Sequence, residues 1–192
     1  AEGTAFYGLD PNKKTVLITG GSLGAGSINK AMVRWLDRIA TWENVQVIWQ
    51  CGSYYHKELE VRLKDHLPEN VKFMPFLKRM DLAYACADLV VARAGAGTIS
   101  ELCLLGKAVV LVPSPNVAED HQTKNAMALV NKQAAVMIKD SEVIEQLGEV
   151  MNRLLQNDQE RNNLSEHILT LAMKDSDEVI AKEILQIVNC KF

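Results

Sequence analysis

Charge of one sign is what this 192-residue chain lacks first: 21 Lys and Arg stand against 24 Asp and Glu, for a net charge of −3. Without a basic surplus or a charge block, nothing points to nucleic acid or to a solvated tail. Long hydrophobic runs are missing too. Stretches such as Ala108 to Pro113 are strand-sized and far short of a membrane span. Cys51, Cys86, Cys103 and Cys190 have no CxxC or zinc-type spacing, and His56, His66, His121 and His167 are scattered without an HxH or HExxH pair. A metal site or a disulfide framework is therefore not expected. Cys86 and Cys103 fall in helical patterns and read as small core residues of a reduced, cytosolic protein. There is no solenoid repeat, no low-complexity linker and no charged-then-apolar leader after Ala1. A first residue other than Met suggests a processed protein or a cut fragment.

What is present suits one large domain. A chain of this length that is 48% hydrophobic and 23% charged buries a proper core. Residues 1–14, with turn signals at Gly8 and Asp10-Pro11-Asn12, read as a lead-in that includes a short helix. Apolar β-type runs follow at Thr15–Thr19, Val45–Trp49, Val71–Phe76, Leu89–Ala92, Ala108–Val112 and Ala135–Ile138. Helical patterns separate them. The clearest is Ala25 to Ala40, with Ile28, Met32, Trp35, Leu36 and Ile39 on one face. Others cover Glu58–Leu67, Met80–Ala87, Thr98–Leu105 and Asp120–Asn131, and a helical tail covers Ser141–Leu155, Gln159–Met173 and Asp175–Val188. Ser141 is the expected cap of the first tail helix. Strands alternating with helices predict an α/β fold, a doubly wound six-stranded parallel sheet of Rossmann-like type with right-handed crossovers.

The stretch Arg93-Ala-Gly-Ala-Gly-Thr-Ile-Ser-Glu101 joins the fourth strand to a helix. Its glycines let backbone approach a ligand, and the helix start turns unpaired N–H groups and the positive dipole end to the same spot. Glu101 is then an acceptor for sugar hydroxyls. A second reading fits the same residues. Thr98-Ile-Ser-Glu101 has the spacing of a capping box, in which Thr98 and Glu101 satisfy each other's backbone. A further glycine loop, Gly20-Gly-Ser-Leu-Gly24, follows the first strand. In the usual strand order 3-2-1-4-5-6, both loops face the crevice at the topological switch point. Two such loops at one crevice favour a phosphate-bearing ligand over packing alone.

The pattern also excludes ligands. Aligning a dinucleotide fingerprint puts Ser22 where its second glycine belongs, and strand two ends Gln50-Cys51-Gly52 with no carboxylate for a ribose. Neither loop carries a Walker lysine, which disfavours nucleoside triphosphate hydrolysis. A nucleoside diphosphate with its phosphates at the loops and its ribose over Glu101 would use every part. Glu119 to Asn125 borders the same crevice. There His121 and Gln122 suit sugar hydroxyls, although the segment taken alone reads more readily as a helix start capped by Asp120 with exposed polar residues.

Gly20-Gly-Ser-Leu-Gly-Ala25, Gly95-Ala-Gly-Thr-Ile-Ser-Glu101 and Asp120-His-Gln-Thr-Lys-Asn-Ala126 together resemble the carboxy-terminal half of the MurG family, the peptidoglycan N-acetylglucosaminyltransferases of two-lobed GT-B fold. The resemblance runs from Thr15 to the end and implies one donor-binding domain over 15–192. It implies that the donor is UDP-N-acetylglucosamine, with no other cofactor. Gly21, Ser22 and Gly24 would contact the diphosphate, as would Ala96, Gly97 and Thr98. Leu77 would read the uracil edge through its backbone and Met80 would pack at the nucleoside. Glu101 would take the ribose hydroxyls, and His121 and Gln122 the sugar. Arg93 would either assist the diphosphate or face outward. By the same resemblance, the whole enzyme transfers N-acetylglucosamine to lipid I, giving lipid II, with inversion, as a peripheral protein on the cytoplasmic side of the bacterial inner membrane. Acceptor, membrane and base would belong to an amino-terminal lobe absent here, leaving a donor domain without turnover. Rival readings are another GT-B UDP-sugar transferase, a UDP-sugar epimerase, or a Rossmann-type binding or regulatory domain without catalysis.

Overall fold

Lys14–Thr19 (β1) is buried at every position after Lys14, because sheet neighbours flank it on both edges and helices cover both faces. The computed structural model describes residues 2–189. β1 pairs on one side with Val45–Gln50 (β2) and through it with Val71–Met74 (β3); on the other it pairs with Leu89–Ala92 (β4), Val109–Leu111 (β5) and Val136–Met137 (β6). All pairings are parallel and the order is β3-β2-β1-β4-β5-β6, the doubly wound arrangement expected of the alternating pattern. Near-continuous apolar strands are what a sheet covered on both faces requires.

Side-chain alternation along β1 sorts the core into two layers. Val16 and Ile18 pack with Ile28, Met32 and Ile39 of Gly26–Ala40 (α2) and with Leu147 and Met151 of Val143–Gln156 (α7). Leu17 faces the other layer, with Leu82 of Met80–Cys86 (α4), Leu102 of Ala96–Leu105 (α5) and Leu129 of His121–Val130 (α6). The amphipathic face read from α2 is the buried one, and each of its fully buried side chains contributes about 1.5–3 kcal/mol relative to exposure. Trp35 lies against α7, where its indole N–H donates to the Ile144 carbonyl at 3.0 Å.

Several boundaries differ from the sequence expectation, each for a local reason. β3 stops at Met74 rather than Phe76, because Pro75 has no N–H to continue the ladder. The helix after β2, α3, spans His56–Leu63 and ends short of Leu67. Ser141 does not cap α7; the cap position is Glu142, with no side-chain hydrogen bond. Asn157 caps the next helix, α8 (Asp158–Leu169), accepting from the Glu160 N–H at 3.0 Å. The last helix, α9, is Ser176–Asn189. In the lead-in, α1 (Glu2–Tyr7) packs on α4, and the Tyr7 hydroxyl donates to the Arg79 carbonyl at 2.8 Å. Cys51 and Cys103 are buried free thiols and Cys86 is half-buried; Cys190 lies outside the described residues.

Candidate functional site

The loop after β1 is held open by backbone packing that only glycine permits. Gly24 has φ +88°, and a Cβ there would stand 2.0 Å from the Cys51 carbonyl oxygen at the end of β2. Gly52, also at φ +88°, meets it from the other side: its own Cβ would lie 2.2 Å from the Gly24 Cα. Buried polar groups fix the base of the loop. Thr19 and Gln50 bond to each other, Gln50 donates to the Gly21 carbonyl at 3.1 Å, and Asn29 donates to the Cys51 carbonyl at 2.8 Å. α2 then starts after Ala25 with no side-chain cap, so its first N–H groups face the crevice.

The second loop works in the same way. α5 starts at Ala96, two residues earlier than its periodicity predicts, with Gly95 at the cap position and no side-chain cap bond. The capping box between Thr98 and Glu101 does not form. The Glu101 carboxylate accepts instead from the Tyr84 hydroxyl at 3.1 Å, and Glu101 itself is exposed. The uncapped first turn, Ala96-Gly97-Thr98, is thereby left with free N–H groups and the positive end of the dipole.

Both loops open on one cavity of about 540 Å³ at the carboxyl ends of β1 and β4, the switch point of the sheet. Gly21, Ser22, Gly24, Met80, Thr98, Glu101 and Gln122 line it together. Ala96 and Gly97 form the helical turn between lining residues Gly95 and Thr98. Leu77 is 3% exposed, its side chain in the core below α4, and His121 is exposed at the start of α6, outside the lining. A comparable hollow at the other end of the sheet is lined by Asp10, Lys13, Gln46 and Asn70. Its Gln46 is already bonded to Asp10 and Thr15.

The segment before α6 is strained. Glu119 and Asp120 both have φ +53°, a left-handed conformation that costs a non-glycine residue about 1 kcal/mol or more. Asp120 holds the cap position without bonding the backbone; its carboxylate accepts from the Thr123 hydroxyl at 2.7 Å. Gln122 Oε1 accepts from the Ser114 N–H at 2.9 Å, which turns the Gln122 amide nitrogen into the site's free donor. Asn125 ties α6 to the second glycine loop through the Ala94 carbonyl at 3.2 Å.

Arg93 lines the cavity with its side chain half-buried rather than facing outward. Its guanidinium is braced by Asp140 at 2.5 Å, by the Val112 and Pro113 carbonyls and by the Ser27 hydroxyl at 3.0 Å. Tyr84 was not legible as a site residue from composition or motif. The available signal was its position four residues after Met80, on the same helical face. Among the described residues no group of three His, Cys, Asp or Glu could hold a metal ion, and no helix is long and apolar enough to cross a membrane.

A doubly wound sheet with two glycine loops and two uncapped helix starts at its switch point defines a Rossmann-like domain of the type that forms the C-terminal half of GT-B glycosyltransferases. Residues 15–182 match the model of the glycosyltransferase family 28 C-terminal domain, and the chain belongs to that family. It is 51% identical over 190 residues to the UDP-N-acetylglucosamine–N-acetylmuramyl-(pentapeptide) pyrophosphoryl-undecaprenol N-acetylglucosamine transferase of Parabacteroides distasonis, covering 99% of this chain and 51% of the relative. A crystal structure of Acinetobacter baumannii MurG superposes with a TM-score of 0.75 at 30% identity, over 91% of this chain and 52% of that one. The S. aureus MnaA–UDP co-structure has a TM-score of 0.72 at 13% identity, over 98% and 49%, and shows a shared fold. The chain thus spans about half the length of the curated relatives it matches.

Proposed function

We propose that this chain, with residues 15–192 as its domain and 1–14 as a lead-in, binds UDP-N-acetylglucosamine as the donor half of the transferase that converts lipid I to lipid II in peptidoglycan synthesis. The observation that carries this reading is the exposed Glu101 carboxylate beside two uncapped helix starts in one cavity. Gly21, Ser22 and Gly24 on one side and Ala96, Gly97 and Thr98 on the other take the diphosphate through backbone N–H groups and hydroxyls. Glu101 accepts from the ribose hydroxyls. Met80 packs at the nucleoside, and the backbone at Leu77 reads the uracil edge. Gln122, its amide fixed as a donor, and His121 serve the sugar. The relative from Parabacteroides distasonis, named for this transfer, supports the choice of donor and acceptor.

Inverting transfer needs a base for the acceptor hydroxyl and stabilisation of the leaving UDP. The two helix starts supply the second. The base, the lipid I contacts and the attachment to the cytoplasmic face of the membrane belong to the part of the relatives this chain does not span. The chain alone therefore binds donor and does not turn it over; transfer to lipid I by these 192 residues would sink that part of the reading.

Titration calorimetry with UDP and UDP-N-acetylglucosamine tests the site. Glu101→Ala is expected to weaken both by roughly tenfold to a hundredfold, the range for hydrogen bonds to a charged acceptor. Undiminished binding in the variant would remove Glu101 from the ribose. Displacement by UDP-glucose as effective as by UDP-N-acetylglucosamine would reassign the sugar.

A further inference from the structure

Tyr84 lines the cavity and has no part in the roles given so far. Its ring is 4% exposed within the α4 layer of the core, and its hydroxyl donates to Glu101 Oε2 at 3.1 Å. Burial, and then the neighbouring carboxylate, push the phenol pKa up, so the group stays a donor throughout the working pH range. Glu101 is an exposed helical side chain with three rotatable bonds, so holding its carboxylate in one orientation costs rotamer freedom. A buried tyrosine ring is rigid by comparison. Its bond fixes one carboxylate oxygen and leaves the other, with the remaining lone pairs, able to accept from a ligand in the cavity that Glu101 lines.

We propose that Tyr84 is a positioning residue, which orients the Glu101 carboxylate to accept from the two neighbouring hydroxyls of a nucleoside diphosphate's ribose. The inference rests on the reading of Glu101 given above. It differs from two simpler roles for the same residue. A purely structural tyrosine would change stability and not affinity, and a direct ligand contact would act independently of Glu101.

Tyr84→Phe separates these, because it keeps the buried ring and exposes the released carboxylate oxygen to water; an unchanged thermal midpoint checks that it folds. The expected result is UDP binding about fivefold to tenfold weaker than in the unaltered chain. That loss should vanish when Tyr84→Phe is made in the Glu101→Ala background. It should vanish equally when the probe is 2′,3′-dideoxyuridine diphosphate, which has no diol to present. If Glu101→Ala loses affinity and Tyr84→Phe does not, the inference fails alone. A Tyr84→Phe loss that persists without Glu101 also overturns it, making Tyr84 a direct contact. No UDP binding by the unaltered chain, or full binding by Glu101→Ala, overturns the underlying reading and this inference with it.

Discussion

Gly24→Ala is expected to destabilise the chain by about 3 kcal/mol or more and to abolish measurable UDP binding. Two costs combine. The backbone sits at φ +88°, where an L side chain is strained by about 1–2 kcal/mol. The new Cβ would also stand 2.0 Å from the Cys51 carbonyl oxygen, which is backbone and cannot rotate aside. Either the first glycine loop or the end of β2 must move. Gly21→Ala is the control, since Gly21 has φ +84° and nothing within 4 Å of an added Cβ. It should show the strain alone, about 1–2 kcal/mol. Urea unfolding of the two variants measures the difference directly. Equal losses would mean that the loop does not pack on β2 through Gly24 and Gly52 as described.

How much of this could be read from sequence depends on the distance over which each feature is decided. The central strands β1, β2, β4 and β5 were legible because each is buried on both faces, and Leu89-Val-Val-Ala92 can hardly be anything else beside a glycine turn. The two glycine loops were legible for the same local reason. Thr98 and Glu101 show the opposite case. Their spacing satisfies a capping motif, yet the helix begins at Ala96 because Gly95 takes the extended cap conformation, φ −69° and ψ 145°. Glu101 is then drawn to Tyr84, 17 residues earlier on a different helix. Ser141 likewise looks like a cap by type and is passed over in favour of Glu142. Arg93 is the extreme: its partner Asp140 is 47 residues away, and only the strand order brings the two together. Local chemistry predicts which groups need partners. The topology chooses the partners.

That choice gives the last prediction. Asp140→Ala is expected to cost about 2–4 kcal/mol, slightly under the usual loss for breaking a buried ion pair. The side chains of Arg93 and Asp140 are 17% and 23% exposed, so water can relieve the stranded guanidinium only in part. Asp140 also accepts from the Ser27 hydroxyl, so its removal frees a second donor in the first turn of α2. Arg93→Met should be costly as well, because the Val112 and Pro113 carbonyls lose their donor along with Asp140. The paired change Arg93→Met with Asp140→Leu should cost clearly less than the two losses added together, since no charge is then left unpartnered. The effect should reach the ligand. Ser27 lies in the first turn of α2 and Arg93 opens the second glycine loop, so the brace ties together the two groups of N–H donors. Weaker UDP binding in Asp140→Ala, measured where the variant remains folded, is therefore expected. Additive stability losses with unchanged UDP affinity would reduce the brace to a surface ion pair without influence on the site.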